Sequence, residues 1–93
     1  MSFLKEIMMN KLKHMTPEQL MNYSKAYGFS ISFAEAQDIT KYIKRDAFNP
    51  FDESQHDQMV QDLAKITDIQ TAKKGEQLFK QLIKSYGLEH LFD

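Results

Sequence analysis

The sequence predicts an all-α fold, a small bundle of four to five short helices arranged as two helical hairpins joined by a proline-containing loop. Apolar residues recur at helical spacing along most of the chain, and capping signals precede several of these stretches. The alternating patterns typical of strands are almost absent. Because 93 residues leave room for only one hydrophobic core, we expect a single domain over residues 1–93.

Two helices are predicted at the N-terminus. Helix 1, over about 3–14, has an apolar stripe formed by Leu4, Ile7, Met8, Leu12 and Met15. Helix 2, over about 17–27, follows Thr16 and a proline at its first position, and Gln19 can complete a capping box. Gly28 can end helix 2 in a left-handed conformation. The apolar residues of helix 2 are Leu20, Tyr23 and Tyr27.

Three further helices are predicted over about 33–45, 53–66 and 69–85. Ser32 and Glu35 can form a second capping box at the first of these, and an aspartate can cap the last. The inward face of helix 3 is expected to contain Phe33, Ala36, Ile39 and Ile43.

The longest predicted loop, residues 46–52, separates the two helical halves. Pro50 lacks a backbone donor and disfavours a helical conformation at Asn49. Gly75 lies on the apolar stripe of helix 5, where a missing side chain lowers helix stability but lets another helix backbone approach closely.

Several stretches carry a family resemblance, namely Met1–Lys5, Met15–Ile31, Ala64–Thr67, Thr71–Lys74 and Leu78–Phe79. In these stretches the chain resembles the YqfT family of small Bacillales proteins with a domain of unknown function. The resemblance covers most of the chain and implies a bacterial cytosolic protein. It brings no catalytic residue to this sequence, and the tail after Leu82 departs from the shorter family members.

Composition limits the compartment and the chemistry. The chain has no cysteine, which excludes disulfides and thiolate zinc sites and is compatible with a reducing compartment. No run of about 18 apolar residues occurs, so we expect no membrane span and a cytoplasmic location.

Charge is distributed unevenly although the net charge is −1. Residues 1–45 contain seven Lys or Arg and four Asp or Glu, whereas residues 46–93 contain five and nine. This difference either orients a charged partner or pairs the two halves with each other, and we favour the second interpretation.

A cluster of potential metal ligands, Asp52, Glu53, His56 and Asp57, lies at the predicted start of helix 4. Helical spacing places a carboxylate beside His56, so a cation site is one interpretation. Acidic residues in a first turn also stabilise the helix dipole, and the glycine of a calcium loop is missing. We therefore interpret the cluster as a helix start.

Catalytic motifs are not found in the sequence. The three glycines are isolated, so no phosphate-binding loop is present, and no serine stands in a Gly-x-Ser-x-Gly turn. We expect a protein that is not an enzyme of a familiar mechanistic class and that has no cofactor.

Protein–protein interaction, with an unknown partner or with a second copy, is the function we predict. Phe48 and Phe51 flank the predicted loop turn, and Met9 and Met21 lie at the edges of their helix stripes. Such residues often anchor partners. For the phenylalanine pair, we favour the competing interpretation that both close one end of the small core.

Nucleic-acid binding through the basic N-terminal half is the alternative. The short connection between helices 2 and 3 resembles a helix-turn-helix, with Lys41, Lys44 and Arg45 as basic contacts. Against this, Phe33, Glu35 and Asp38 occupy the positions that would read bases.

Overall fold

The computed structural model describes residues 3–45, 48–49 and 52–85, apart from the side chains of Leu4 and Glu53. Across these ranges the chain forms helices and no strand, which confirms the all-α prediction. The helices are α1 (Phe3–Lys13), α2 (Pro17–Ala26), α3 (Phe33–Ile43), α4 (His56–Ile66) and α5 (Ile69–Ser85), with a 3-10 turn (Glu53–Gln55) before α4. Helix α2 packs mainly on α3, α4 packs mainly on α5, and α1 packs on α3.

Both predicted capping boxes are confirmed. The Thr16 hydroxyl accepts a hydrogen bond from the Gln19 amide (3.2 Å), and the Thr16 amide donates to the Gln19 side chain (3.0 Å). Ser32 and Glu35 make the same reciprocal pair at the start of α3, at 3.0 and 2.8 Å. Gly28 has φ +85°, so the predicted left-handed stop after α2 is also confirmed.

The predicted boundaries of helices 3 and 4 were wrong by two and three residues. Helix α3 ends at Ile43, because the Arg45 amide donates to the Tyr42 carbonyl (3.2 Å) and tightens the last turn. At the other side of the loop, the Ser54 amide donates to the Asp52 carboxylate (3.0 Å). This local bond holds residues 53–55 in a 3-10 turn, so α4 begins only at His56.

The hydrophobic core is built mainly from α1, α2, α3 and their connections, with the second half of α5 packed onto them. Its buried members are Met8, Leu12, Met15, Leu20, Ile31, Ala36, Ile43, Phe79 and Ile83. Among the described side chains, three residues of the predicted apolar stripes are exposed. Ile7, Tyr27 and Phe33 are 40, 48 and 46% exposed, because nothing in the described chain covers them.

Every helix in the described ranges is too short or too polar to cross a bilayer.

Candidate partner-binding groove

A groove lined by apolar side chains lies between the α2–α3 hairpin and the α4–α5 hairpin. Its volume is about 70 Å³, which is several times the roughly 10–15 Å³ that one water molecule needs. Buried core residues form the floor. Half-buried residues form the mouth, namely Tyr23, Phe29, Ile39, Tyr42, Phe48, Leu63, Thr67, Thr71, Gly75 and Leu82. All of these lining residues are uncharged.

Helical spacing explains the wall that α5 contributes. Thr71, Gly75, Leu78 and Leu82 follow one another at intervals of four, three and four residues, so they share one face of the helix. Leu78 is buried, while the other three are half-buried at the mouth. The amphipathic pattern of α5 therefore faces the groove as well as the core.

Gly75 leaves the α5 wall open at its middle. Beyond its chain neighbours and its own helix backbone, no described heavy atom lies within 4 Å of where a Cβ on Gly75 would stand. The sequence allows another helix backbone to approach closely at Gly75, and no helix of the described chain does so. A glycine inside a helix lowers stability by roughly 0.5–1 kcal/mol relative to alanine. Packing within the described chain does not compensate for that cost.

The hydroxyl groups that line the groove are bonded within the chain. Ser24 and Thr67 donate to the backbone carbonyls four residues earlier, at 2.9 and 2.8 Å. Thr71 donates to the carboxylate of Asp68 at 3.0 Å. Because these hydroxyl groups already donate hydrogen bonds within the chain, the surface of the groove is largely apolar and favours an apolar ligand.

Tyr42 links the two walls near one end of the groove. Its hydroxyl donates to Asp62 of α4 (2.8 Å), and the side-chain amide of Gln58 donates to the other Asp62 oxygen (2.8 Å). Burial raises the pKa of Tyr42 to about 12, and the bond to Asp62 adds to this effect. The bonds from Gln58 and Tyr42 lower the pKa of Asp62. At neutral pH the tyrosine stays protonated and the aspartate stays charged, as this hydrogen-bonded arrangement requires.

Cationic side chains lie against three of the aromatic rings that line the groove. Measured from the charged group to the ring centroid, the pairs are Lys11 with Tyr23 (5.6 Å), Lys13 with Phe48 (5.4 Å) and Arg45 with Tyr42 (5.0 Å). Such distances are typical of cation–π contacts. The three cations belong to α1 and to the end of α3, and none of them is among the residues that line the groove.

Lys13 also joins the C-terminal ends of α1 and α3. Its ammonium donates to the carbonyls of Ile43 (2.7 Å) and Arg45 (2.6 Å), so it caps the end of α3 from a neighbouring helix. The predicted nucleic-acid contacts Lys41, Lys44 and Arg45 are exposed near this junction. The structure therefore adds Lys13 to the predicted basic group.

The residues predicted to bind a partner are placed differently from one another. Phe48 is half-buried in the groove wall, with its ring centroid 5.8 Å from that of Tyr42 and 6.3 Å from that of Phe79. Met9 and Met21 are partly buried against the core and do not line the groove. Phe51 and Pro50 lie outside the described residues, as does Gly87, where the sequence predicts the end of helix 5. All three described residues pack against the core, and of the three Phe48 also lines the groove.

The acidic cluster before α4 is organised as a helix start. Both oxygens of Asp52 accept hydrogen bonds, one from the amide and hydroxyl of Ser54 and the other from Gln55. The hydroxyl bond from Ser54 lowers the pKa of Asp52. His56 is buried and Asp57 is exposed. Among the described residues, no three acidic or histidine side chains come together as metal ligands.

Sequence reasoning missed most of the groove residues. Phe29, Ile39, Leu63 and Leu82 carry only the ordinary sequence signal of helix stripes or connections, and only their position between the two hairpins shows that they share one surface. Gly75 was the one sequence feature of this kind that could have indicated the groove. A glycine on the apolar stripe of a helix marks a position where the helix itself places no side chain.

Two comparisons with known proteins gave matches. A family model described as a protein of unknown function (DUF2624) matches residues 1–83. The chain is also 30% identical over 81 residues to a protein of Bacillus subtilis (strain 168) named "Uncharacterized protein YqfT". That alignment covers 87% of this chain and 96% of the relative. No solved structure matches the chain.

Proposed function

We propose, from the premise that this chain belongs to the DUF2624 family of proteins of unknown function, that it is a non-enzymatic protein-binding module. The resemblance to YqfT is confirmed, and neither match assigns a functional residue. The proposal therefore rests on the groove between the two hairpins, which would receive an apolar segment of a partner protein.

The observation that carries the proposal is an open apolar groove in the middle of a very small domain. Side chains such as Phe29, Leu63 and Leu82 are only half-buried there, although they face the interior of the fold. Covering apolar surface is favourable by about 25 cal/mol per Å². A partner segment in this groove would therefore bind mainly through the hydrophobic effect.

The chemistry of the groove supports binding more than catalysis. The hydroxyl of Tyr42, a titratable residue of the groove lining, donates a hydrogen bond to the carboxylate of Asp62. The pKa of Tyr42 is about 12, so this hydroxyl stays protonated at neutral pH. The hydroxyls of Ser24, Thr67 and Thr71 are bonded to the chain itself. A bound segment would meet few groups able to transfer a proton.

The test is a comparison of matched leucine variants in a capture experiment. Gly75→Leu places a side chain in the groove, whereas Gln77→Leu adds the same side chain on the exposed face of α5. Tagged wild type and both variants are incubated with nuclease-treated host lysate, and bound proteins are identified by mass spectrometry. We expect wild type and Gln77→Leu to retain the same discrete protein and Gly75→Leu to lose it.

Thermal unfolding of the three proteins serves as the control. Gly75→Leu should melt no lower than the wild type, because its Cβ has open space and leucine favours helix. A partner that Gly75→Leu retains as well as the wild type does, or the absence of any stoichiometric partner, would contradict the proposal.

Nucleic-acid binding is the second candidate, and the junction of α1 and α3 supports it. Lys13 lies against the Arg45 carbonyl, so its charge joins those of Lys44 and Arg45. If this surface binds RNA or DNA, Lys41→Glu combined with Lys44→Glu should abolish a mobility shift that weakens steeply as salt rises. A wild-type protein that gives no shift at low salt would exclude this candidate.

A cytoplasmic site of action and self-association complete the proposal. The cysteine-free sequence and the family resemblance support the cytoplasm. Equilibrium sedimentation over a range of concentrations measures self-association, because a dimer that uses the groove should dissociate on Gly75→Leu substitution.

A further inference from the structure

We infer that the segment after α5, residues 86–93, closes the groove beside Leu82, so that a partner segment must displace it to enter. The closure itself is independent of the proposed function, whereas its effect on a partner rests on that function. Residues 86–93 lie outside the described residues. The inference follows from the way α2 ends, from a matching sequence at the end of α5 and from the size of the groove.

Helix α2 ends in a Schellman motif that turns the chain towards the groove. The amide of Gly28, at φ +85°, donates to the Lys25 carbonyl (3.1 Å). The next amide, that of Phe29, donates to the Ser24 carbonyl (3.0 Å). In this motif an apolar residue directly after the glycine commonly contacts a residue of the last helical turn. Phe29 accordingly lines the groove, as does Tyr23, which precedes it by six positions.

The end of α5 repeats the sequence of the end of α2. Residues 25–29 read KAYGF and residues 84–88 read KSYGL. The two helices also end at equivalent positions, α2 at Ala26 and α5 at Ser85. Gly87 therefore stands where a Schellman motif after α5 requires a glycine, because only this residue adopts the left-handed conformation at little cost.

The same geometry at Gly87 directs Leu88 to the groove. The position that corresponds to Tyr23 is Leu82, which is six residues before Leu88, lines the groove and is half-buried. Ile83, the other residue that the motif can contact, is already fully buried. Leu82 is therefore the apolar surface that remains for Leu88 to cover.

The size of the groove fits side chains of a short attached segment. A volume of about 70 Å³ is well below the roughly 300–1,000 Å³ of small-molecule sites. Leu91 and Phe92 follow Leu88 by three and four residues, a spacing that places all three on one face of a helical turn. Because the segment is attached one turn beyond Leu82, its effective concentration at the groove is on the order of millimolar.

Amide hydrogen exchange measured by NMR on the full chain tests the closure. The motif would bond the Leu88 amide to the Ile83 carbonyl, so we expect this amide to be protected from exchange. The Phe29 amide, bonded to Ser24, is the internal reference. We also expect a nuclear Overhauser effect between the methyl groups of Leu88 and Leu82.

Gly87→Ala should lower the protection of the Leu88 amide about tenfold, because a left-handed backbone penalises a side chain. The protection of the Phe29 amide should not change. Glu89→Ser, at the neighbouring position, is the matched control and should leave the protection of both amides unaltered.

The capture experiment tests the effect on a partner. Leu88→Ser removes the apolar side chain that covers Leu82, so it should retain at least about threefold more of the partner that Gly75→Leu loses. Glu89→Ser should retain as much of that partner as the wild type.

The possible results separate the closure from the proposed function. An unprotected Leu88 amide, or no methyl contact with Leu82, would overturn the closure and leave the groove free for a partner. A methyl contact that is lost on about tenfold dilution would overturn it in favour of a second copy. If Leu88→Ser retains no more partner than the wild type, the effect on access is wrong. Confirmed closure with no partner retained by any variant would contradict the proposed function alone.

Discussion

The α2–α3 hairpin and the α4–α5 hairpin differ in how local sequence specifies the starts of their helices. Both helices of the first hairpin begin with complete capping boxes, at Thr16 and Ser32. In the second hairpin, α4 has Gln55 at its N-cap with no side-chain cap bond, and a 3-10 turn precedes it. The first hairpin is therefore specified more strongly by local sequence.

The two hairpins also contribute unequally to the core. Helices α2 and α3 supply Leu20, Ala36 and Ile43 to the main cluster, which the buried α4 residue Met59 does not join. The second hairpin is attached through Phe79 and Ile83 of α5 and through the bond from Tyr42 to Asp62. The groove lies between the first hairpin, whose helix starts are both capped, and the second hairpin, which is attached at few points. The width of the groove therefore depends on these attachments.

The largest expected effect is loss of the α5 attachment. Ile83 is fully buried, so Ile83→Ala should lower the free energy of unfolding by about 2–5 kcal/mol. Ile69→Ala on the same helix is the matched control, since Ile69 is 52% exposed and should change stability by less than about 0.5 kcal/mol. Urea unfolding followed by circular dichroism measures both. Equal effects of the two variants would show that α5 does not anchor the second hairpin.

A smaller effect is expected from the caps. Ser32→Ala removes the hydroxyl that accepts a hydrogen bond from the Glu35 amide and should lower the free energy of unfolding by about 1 kcal/mol. Gln55→Ala, at the uncapped start of α4, should lower it by less than about 0.5 kcal/mol. If Gln55→Ala were the more destabilising variant in the same urea titration, the proposed difference between the hairpins would be wrong.

The shifted pKa values of Tyr42 and Asp62 are expected to make stability depend on pH. Burial is the largest cause of the Tyr42 shift and the bond from Gln58 is the largest cause of the Asp62 shift, and the bond between Tyr42 and Asp62 adds to both. The lowered pKa of Asp62 stabilises the fold above the unfolded value of 3.8, and this contribution is lost as pH falls through the lower folded value. The raised pKa of Tyr42 stabilises the fold below pH 10.0, and this contribution is lost as pH rises towards about 12.

Tyr42→Phe removes this bond. It should therefore cost about 0.5–1.5 kcal/mol at neutral pH and less in strong acid or base. Tyr27→Phe, at a half-exposed tyrosine in the first hairpin, is the control. Melting temperatures measured at several pH values test the prediction, and a Tyr42→Phe effect that is constant from acid to base would contradict it.

The smallest expected effect is a gain in stability. Gly75→Ala should raise the free energy of unfolding by about 0.5–1 kcal/mol, because its Cβ has open space and its helix becomes less costly to form. Gly28→Ala should have the opposite sign, since φ +85° penalises a side chain by about 1–2 kcal/mol. Differential scanning calorimetry compares the two, and a destabilising Gly75→Ala would show that the glycine serves the fold itself.

Local signals predicted much of the fold. The helix order, both capping boxes, the left-handed Gly28 and the aspartate at the start of α5 were all readable, because each depends on residues within one turn. The start of α4 was predicted less well, since Asp52 can support either a 3-10 or an α-helical turn and the sequence does not choose between them.

The candidate site was far less predictable. Phe48 was selected for its loop position and does line the groove, but it packs there against Phe79, a residue 31 positions later in the chain. The other half-buried groove residues carried only the ordinary signal of an apolar helix face. Periodicity indicates which residues share a face, but it does not tell how far a neighbouring helix extends over them.

By itself, the sequence determined an all-α chain with marked helix starts, two hairpins and membership of a family without assigned chemistry. Only the tertiary structure decided that Ile7, Tyr27 and Phe33 stay exposed, that Gly75 faces open space, and that cations lie beside three groove aromatics. The physical reason is the separation in sequence between the residues that interact. Caps and turns are satisfied by neighbours in sequence, whereas a groove exists only through the relative placement of helices that are distant in sequence.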